Sequence, residues 1–208
     1  MIDAPPVLSY TAEMKRKALH LAALLIPVGI VLIDRSIAVP VLVGVAVFAA
    51  AADVARLRWR PAQRLVNAVF APIMRPRELP PLGGPIVLNG ATWMCISGAL
   101  CAAIFPAGIA AASLAILMVG DGAAALVGQR WGRLRWPGSP KSLEGSLAFV
   151  VTGWLTALPF GYIAEPVLGP GVLLLAAVVA AIAEALPIPI NDNVLVPVVA
   201  GILLLLVA

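Results

Sequence analysis

The sequence predicts an all-α protein, a polytopic bundle of about seven transmembrane helices with an additional amphipathic helix at the membrane interface. Hydrophobic residues make up 62% of the 208 residues and charged residues only 12%, whereas soluble domains carry roughly 25% charged residues. Apolar runs close to the length of about 20 residues needed to cross a bilayer recur along the chain. We therefore expect one integral membrane domain over residues 1–208. The predicted spans are Ala18–Ile33, Ile37–Ala52, Pro85–Phe105, Ala107–Val127, Leu147–Ala164, Gly171–Leu186 and Val194–Ala208.

The positions of the basic residues predict the orientation of this bundle, because cytoplasmic loops of membrane proteins are enriched in Lys and Arg. Of the 14 Lys and Arg residues, only Arg35 lies outside three segments: the N-terminus, the loop after span two and the loop after span four. We expect a cytoplasmic N-terminus and an external C-terminus, in the plasma or inner membrane of a prokaryote. The net charge of +4 then reflects topology and an anionic lipid surface, not nucleic-acid binding.

Four charged or polar residues at the N-terminus share one face of a helix, since they are spaced at i, i+3, i+4 and i+7. This face is either a basic anchor at the membrane surface or a polar surface turned into the bundle. The histidine lies a turn inside the apolar run, which favours a functional role. The four residues are Glu13, Arg16, Lys17 and His20.

Residues 54–84 are expected to form a cytoplasmic loop that contains the interfacial helix. Over Pro61–Met74 the apolar side chains follow a helical spacing opposite polar ones, and Trp59 is expected at headgroup depth. Most arginines of this loop are expected to be solvated and lipid-facing. Arg75 and Glu78 are better candidates for a site, because they are three residues apart beside a Gly-Gly turn.

Polar residues also occur inside the third and fourth predicted spans. Asn89 and Thr92 are expected to form hydrogen bonds to neighbouring helices. Asp121 is more informative, because a charge at the centre of the hydrocarbon costs roughly 2.5–3.5 kcal/mol on insertion scales. It needs a cation, a water-filled cavity or a proton, and Gly122 beside it allows a ligand or a backbone to come close.

Residues 120–146 are predicted to be a cytoplasmic active-site loop. Small side chains recur every four residues in its first half, which is typical of a close contact between two helices. The second half ends in Lys141 and two serines, of which Ser142 or Ser146 is expected to cap the fifth helix, with Glu144 in its first turn. A lysine at a helix N-terminus favours phosphate binding, although no Walker or GxGxxG motif is present. The small residues are Gly120, Ala124, Gly128 and Gly132.

The last loop adds acidic and amide groups on the same side of the membrane. Glu184 lies near the end of the sixth span, and Asp192 and Asn193 open the seventh. An Asn-Asp-Asn cluster is a common helix cap, but it also supplies oxygen ligands. Facing Asp121, Asp192 could bind Mg²⁺, a hard cation that takes carboxylates and waters.

In their order along the chain, these motifs resemble the CTP-dependent polyprenol and dolichol kinases, phytol kinase and a yeast-type diacylglycerol kinase. These enzymes belong to the wider superfamily of phosphatidate cytidylyltransferases. The chain lacks the C-terminal Lys-Asp and His-Gly-Gly elements of true cytidylyltransferases, which favours the kinase branch. The matching elements are Glu13…Arg16-Lys17…His20, Arg75…Glu78, Gly120-Asp121…Gly128…Gly132, Lys141-Ser142-Leu143-Glu144-Gly145-Ser146 and Glu184…Asp192-Asn193…Pro197.

The resemblance implies a membrane enzyme that uses CTP and a divalent metal. The hypothesis is that CTP binds from the cytoplasm while a lipid alcohol (a polyprenol, a phytol-like isoprenoid or a diacylglycerol) arrives laterally from the bilayer. Asp121 and Asp192 are assigned to Mg²⁺, and Asp121, Lys141, Asp192 and His20 to catalysis. Nucleotide-binding residues are predicted to be Arg16, Lys17, Gly120, Gly122, Gly128, Lys141, Ser142, Glu144, Gly145, Ser146 and Asn193. Lipid-contacting or structural polar residues are predicted to be Glu13, Arg75, Glu78, Asn89 and Glu184.

Two alternative functions stay open at this point. A phosphatidate cytidylyltransferase that makes CDP-diacylglycerol would use the same metal and triphosphate site. A small lipid transporter would place its binding site at the midplane between repeated halves, and we find no such repeat. The acceptor lipid and the general base are not defined by the sequence, and a homodimer is neither required nor excluded.

Overall fold

The computed structural model describes residues 10–208, except for the side chains of residues 10–13, 17 and 19. The described residues form nine α-helices and two short 3₁₀ segments and contain no β-strand. The predicted all-α class is therefore confirmed. The helices are α1 (Tyr10–Ala22), α2 (Leu25–Leu32), α3 (Arg35–Arg58), α4 (Arg60–Phe70), α5 (Gly90–Ile104), α6 (Ala107–Trp131), α7 (Leu143–Ile163), α8 (Pro170–Ala185) and α9 (Asp192–Val207).

The long helix α6 forms the centre of the bundle. Every residue from Gly108 to Met118 is buried, as expected for a helix that is apolar all round. Helices α1, α2, α5, α7, α8 and α9 pack around it, and α7 makes the most extensive contact. Asp121 lies on this central helix, just beyond the fully buried segment.

The contact between α6 and α7 is made by small residues from both helices, as predicted for the stripe on α6. A Cβ on Gly145 would lie 2.8 Å from the carbonyl oxygen of Ala124 and 3.4 Å from the Cα of Gly128. A Cβ on Gly120 would meet the ring of Phe149 at 2.9 Å. These glycines therefore allow two helix backbones to approach closely.

Within residues 10–208, three helices are long and apolar enough to cross a membrane, namely α3, α6 and α7. Helices α5, α8 and α9 are apolar but shorter. The apolar helices and the membrane-protein composition indicate an integral membrane protein. The number of seven spans stays a prediction.

The predicted first span, Ala18–Ile33, is not one continuous helix. Helix α1 ends at Ala22, and α2 begins only at Leu25. Pro27 explains the break, because its ring clashes with the carbonyl group four residues earlier, that of Ala23. Hydrogen bonds from Ala23 N to His20 O and from Leu24 N to Leu21 O tighten the end of α1.

The predicted loop 54–84 begins later than expected, because α3 continues to Arg58. Arg56, expected to be solvated, is instead buried with 2% of its surface exposed. Its Nε donates to Asp53 Oδ1 at 2.6 Å, and its Nη1 and Nη2 donate to the carbonyl oxygens of Glu78 and Val87 at 2.8 and 3.0 Å. The guanidinium therefore fixes the chain that leads from the loop to α5.

Helix α5 begins at Gly90 and not at the predicted Pro85. Asn89 is its N-cap, since Asn89 Oδ1 accepts from Thr92 N at 3.0 Å. The predicted hydrogen bonds to a neighbouring helix are confirmed for both side chains. Asn89 Nδ2 donates to Asp53 Oδ1 at 2.9 Å, and Thr92 Oγ1 donates to Asp53 Oδ2 at 2.7 Å.

Helix α4 corresponds to the predicted amphipathic helix but ends earlier than Met74. A 3₁₀ turn, Ala71–Ile73, replaces its last part, because Pro72 cannot continue an α-helix. None of the residues of α4 is buried, and its Leu65 is 70% exposed. An amphipathic helix whose apolar face is left uncovered suits a membrane interface.

The buried Asp53–Arg56 pair makes a testable contribution to stability. Arg56→Ala leaves the Asp53 carboxylate buried without its cation, so we expect a loss of about 3–5 kcal/mol. Arg60→Ala, in the neighbouring exposed helix α4, is the matched control and should change stability by less than about 0.5 kcal/mol. Thermal and denaturant unfolding in detergent would measure both, and equal effects would contradict a structural role for this pair.

Candidate active site

The polar residues predicted from the sequence meet at one end of the bundle. This end comprises the second half of α6, the loop 132–142, the N-termini of α5 and α9, and the C-terminus of α8. The loop 120–146 is largely helical, since α6 continues to Trp131 and α7 begins at Leu143. Asp121 is ten residues from the end of α6, about 15 Å at the rise of an α-helix.

Lys141 connects the loop to the two last helices. Its Nζ lies 2.6 Å from Glu184 Oε1 and 2.9 Å from Asp192 Oδ2, and it also donates to the carbonyl oxygen of Glu184. An ammonium group has three donors, so all three are engaged within the protein. A phosphate oxygen would have to replace one of these acceptors.

The two acids that bind Lys141 have different surroundings. The Glu184 side chain is 6% exposed, whereas that of Asp192 is 43% exposed. Asp121 of the central helix is near enough for its negative charge to disfavour the charged form of Glu184. Glu184 is thus a fixed partner of Lys141, and Asp192 is the partner that solvent or a ligand can reach.

Burial alone would lower the pKa of Lys141, but the carboxylates of Glu184 and Asp192 outweigh this effect and raise the pKa above its usual value. The ammonium therefore stays charged at physiological pH. Its contribution to stability is complete below the pKa of an unfolded lysine, about 10.4, and is lost as the pH rises through the higher value of the folded protein.

This raised pKa predicts a pH-dependent stability difference. Lys141→Met should lower the unfolding temperature at pH 8, because it leaves buried Glu184 without a cation. The difference between wild type and Lys141→Met should shrink only above a pH of about 10.4. Unfolding temperatures between pH 8 and 12 measure it, with a substitution of the exposed Lys15 of α1, Lys15→Met, as control. If the unfolding temperatures of wild type and Lys141→Met already converge below pH 9, the raised pKa of Lys141 would be contradicted.

Glu144 and Ser142 organise the loop before α7. Glu144 Oε1 accepts from the backbone amides of Arg133 and Leu134 at 3.0 and 3.2 Å. Ser142 caps α7, as one of the two predicted alternatives, because its Oγ accepts from Gly145 N at 3.1 Å. These side chains are therefore occupied in shaping the loop, and their predicted role in nucleotide binding stays a prediction.

The other backbone amides at the start of α7 are also engaged. Leu143 N donates to Leu134 O at 3.0 Å, and Ser146 N donates to Ser142 O at 3.0 Å. Ser146 Oγ accepts from Trp136 Nε1 at 2.9 Å. A phosphate site made from this helix N-terminus alone would thus have few free donors.

His20 lies beside Asp121, with His20 Nε2 and Asp121 Oδ2 3.7 Å apart. Helix α1 packs on α6, and of its predicted polar face His20 is turned into the bundle. Gly122 follows Asp121, and a Cβ there would meet open space. The Asp121 carboxylate borders a histidine, and its side chain is 23% exposed, so a ligand can reach it.

Three further predicted residues meet at Gly90, the first residue of α5. A Cβ on Gly90 would lie 4.0 Å from both Arg16 Nη1 and Glu78 Oε1, and Asn193 Nδ2 donates to Gly90 O at 3.4 Å. Glu78 is held by Arg75 N, which donates to Glu78 Oε2 at 3.2 Å. The side chains of Glu13 and Lys17 lie outside the described residues.

Known proteins with a related sequence identify the family. Over 167 residues the chain is 30% identical to CTP-dependent diacylglycerol kinase 1 of Schizosaccharomyces pombe, which corresponds to 74% of each chain. The chain belongs to the CTP-dependent polyprenol, diacylglycerol and phytol kinase family.

Two other members of this kinase family match over shorter regions. Dolichol kinase of Saccharomyces cerevisiae is 50% identical over 42 residues, which is 20% of this chain and only 8% of the yeast protein. Phytol kinase of Synechocystis is 47% identical over 53 residues, 24% of this chain and 23% of that enzyme. No family model matches the chain, and no solved structure matches it significantly.

In the part of the chain that the structure describes, no three His, Cys, Asp or Glu residues are close enough to form a metal cluster. Mg²⁺ is commonly bound by one or two carboxylates together with substrate phosphates and waters. Asp121, whose side chain is 23% exposed, and Asp192, through the oxygen that Lys141 does not contact, are the carboxylates that would contribute to such a ligand set.

The sequence analysis did not predict the Asp53–Arg56 pair, which anchors the Glu78 segment of the candidate active site. The signal was present, because an acid and an arginine three residues apart at the end of a span can form a pair on one helix face. The arginine-rich context suggested a solvated patch instead. The engagement of Lys141 by Glu184 was also not foreseen, since it depends on how α8 packs.

Proposed function

We propose that the chain is a CTP-dependent lipid kinase that transfers the γ-phosphate of CTP to a membrane lipid alcohol. The observation that best supports this is the cluster of Lys141, Glu184 and Asp192 near Asp121 of the central helix. It joins a lysine and three acids from distant segments at one end of an apolar bundle. The name of the S. pombe relative supports CTP and a lipid acceptor.

Phosphoryl transfer depends mainly on positioning and on neutralising charge, with little covalent work for the protein. In the proposed mechanism Arg16 and Lys141 bind phosphate oxygens. A phosphate oxygen replaces Asp192 as an acceptor for the Lys141 ammonium, since Asp192 is the exposed partner of Lys141. Glu184 keeps the ammonium in place. Asp121 and Asp192 would hold Mg²⁺, which would offset the negative charge of the phosphate groups.

His20 is proposed to contact the lipid hydroxyl group. It lies at the end of α1 beside Asp121, where an acceptor hydroxyl must come to reach the γ-phosphate. An imidazole there can orient the hydroxyl and accept its proton during transfer. Glu184 is a weaker candidate for the group that accepts this proton, because it forms an ion pair with Lys141.

The proposed location is a prokaryotic plasma or inner membrane, with seven spans and the active site on the cytoplasmic side. CTP is available there, and the basic loops before α1, after α3 and after α6 support this orientation. The acceptor class is a polyprenol, a phytol-like isoprenoid or a diacylglycerol, in line with the names of the relatives.

Labelled CTP separates the kinase from the cytidylyltransferase and the transporter. Purified protein in lipid nanodiscs is given Mg²⁺, a lipid alcohol or phosphatidate, and CTP labelled at the α- or the γ-phosphate. A kinase moves the γ label into lipid, and a cytidylyltransferase moves the α label. A protein that binds CTP but transfers neither label to any lipid tested would contradict both enzyme functions.

The same assay tests the residues. Asp121→Asn and Lys141→Ala should each lower turnover by at least about 100-fold, since the first removes a proposed Mg²⁺ ligand and the second a positive charge proposed to bind phosphate. Asp34→Asn is the matched control: Asp34 caps α3 through Ser36 N, far along the chain from the site, and asparagine can cap equally well. Wild-type rates from Asp121→Asn and Lys141→Ala would refute the assignment.

A further inference from the structure

The loop between α8 and α9 exposes apolar side chains beside the candidate site. Residues 186–190 read Leu-Pro-Ile-Pro-Ile and contain no charged residue, whereas the segment 130–141 carries three arginines and a lysine. Glu184 lies two residues before this loop and Asp192 two residues after it, and both acids bind Lys141. The exposed fraction is 46% for Leu186, 38% for Ile188 and 51% for Ile190.

The backbone of this loop suits surroundings with little water. An N–H group without a partner is costly to place in a bilayer. Leu186 N donates to Ile182 O at 3.1 Å, and Ile188 N donates to Leu186 O at 2.9 Å. Pro187 and Pro189 have no N–H group. Four of the five loop residues therefore present no free N–H to their surroundings.

The apolar surface of the loop continues the outer face of α8. Leu175, Ile182 and Leu186 are spaced by seven and four residues, which places them on one helix face. These side chains are 47%, 43% and 46% exposed, while other parts of α8 pack on α7 and α9. Large exposed apolar surfaces mark contacts with a membrane or a protein. In an integral membrane protein, the lipid-facing surface of α8 thus extends without a charge onto the loop.

We propose that the loop 186–190 is inserted into the bilayer at the boundary between the headgroups and the hydrocarbon. Its side chains reach the lipid chains, while its carbonyl oxygens meet the water of the headgroup region. Helix α8 has 16 residues, about 24 Å at the rise of an α-helix, whereas the hydrocarbon core is about 30 Å thick. The loop adds apolar surface at the end of a helix that is too short to cross this core alone.

The inserted loop sets the depth of the site. Glu184 and Asp192, on either side of it, lie at the level of the headgroups, where the hydroxyl group of a membrane lipid alcohol also lies. The Asp192 side chain is 43% exposed and that of Glu184 only 6%, so Asp192 is the acid that this hydroxyl group approaches. The approach of the acceptor rests on the proposed kinase function, whereas the insertion of the loop does not.

The reactivity of introduced cysteines tests the insertion without any enzyme activity. Ile188→Cys, in phosphatidylcholine nanodiscs, should react with a charged maleimide at least about tenfold more slowly than Arg77→Cys, because apolar surroundings raise the thiol pKa and a rise of one unit removes nine-tenths of the thiolate. Arg77 is exposed in a charged segment. Wild type, with Cys95 and Cys101, gives the background. Equal rates for Ile188→Cys and Arg77→Cys would overturn the proposal.

Fluorescence quenching tests whether lipid is what covers the loop. A bimane on Ile188→Cys should be quenched more by phosphatidylcholine brominated near the headgroup than by lipid brominated at mid-chain. Phe48→Cys, in the middle of α3 and 76% exposed, is the control and should show the opposite order. Absence of quenching at position 188 would overturn the proposal. So would a disulfide-linked dimer of Ile188→Cys, since a second copy would then cover the loop.

A polar side chain in the loop tests the approach of the acceptor. Ile188→Asn should raise the KM of a lipid alcohol by about threefold to tenfold, because an amide group is costly to insert among lipid chains. The KM of CTP should not change, and Ile188→Leu should behave like wild type.

The outcomes separate the parts of the proposal. Slow labelling of Ile188→Cys together with an unchanged lipid KM for Ile188→Asn would refute the approach of the acceptor at Asp192 and leave the insertion standing. Absence of phosphorylation by wild type, with the labelling and quenching results as expected, would count against the kinase function alone.

Discussion

The candidate site depends on the ion pairs of one lysine. Lys141 lies in an irregular loop, yet its ammonium contacts Glu184 at the end of α8 and Asp192 at the start of α9. Loops between membrane helices have few apolar contacts to hold them, so a charged anchor of this kind determines where the loop lies. These ion pairs tie the segment that connects α6 and α7 directly to the acids of the last two helices.

The central helix makes this arrangement possible by letting its neighbours come close. Small residues on α6 and α7 bring the backbones together, which places the N-terminus of α7 and its preceding loop over the second half of α6. The same helix carries Asp121, against which the end of α1 packs through His20. The buried Asp53–Arg56 pair of α3 also positions part of the site, because it holds the Glu78 segment and the start of α5.

The parts of the structure that the sequence predicts are those governed by local patterns. Helix content, the small-residue stripe, the Ser142 cap and the inward face of Arg16 and His20 follow from spacing along the chain. Arg56 was misread because its burial depends on carbonyl groups of residues 78 and 87, which the fold brings to it. The partners of Lys141 lie 43 and 51 residues away, so only the packing of α8 and α9 reveals that its donors are engaged.

The anchoring role of Lys141 is tested most directly by a double-mutant cycle with Lys141→Met and Glu184→Gln, measured by unfolding in detergent at pH 8. We predict that the two substitutions are coupled by at least about 1 kcal/mol, as expected for residues that share a buried ion pair. Effects that add within about 0.3–0.5 kcal/mol would show that the two side chains act independently, which would contradict the arrangement of the site described above.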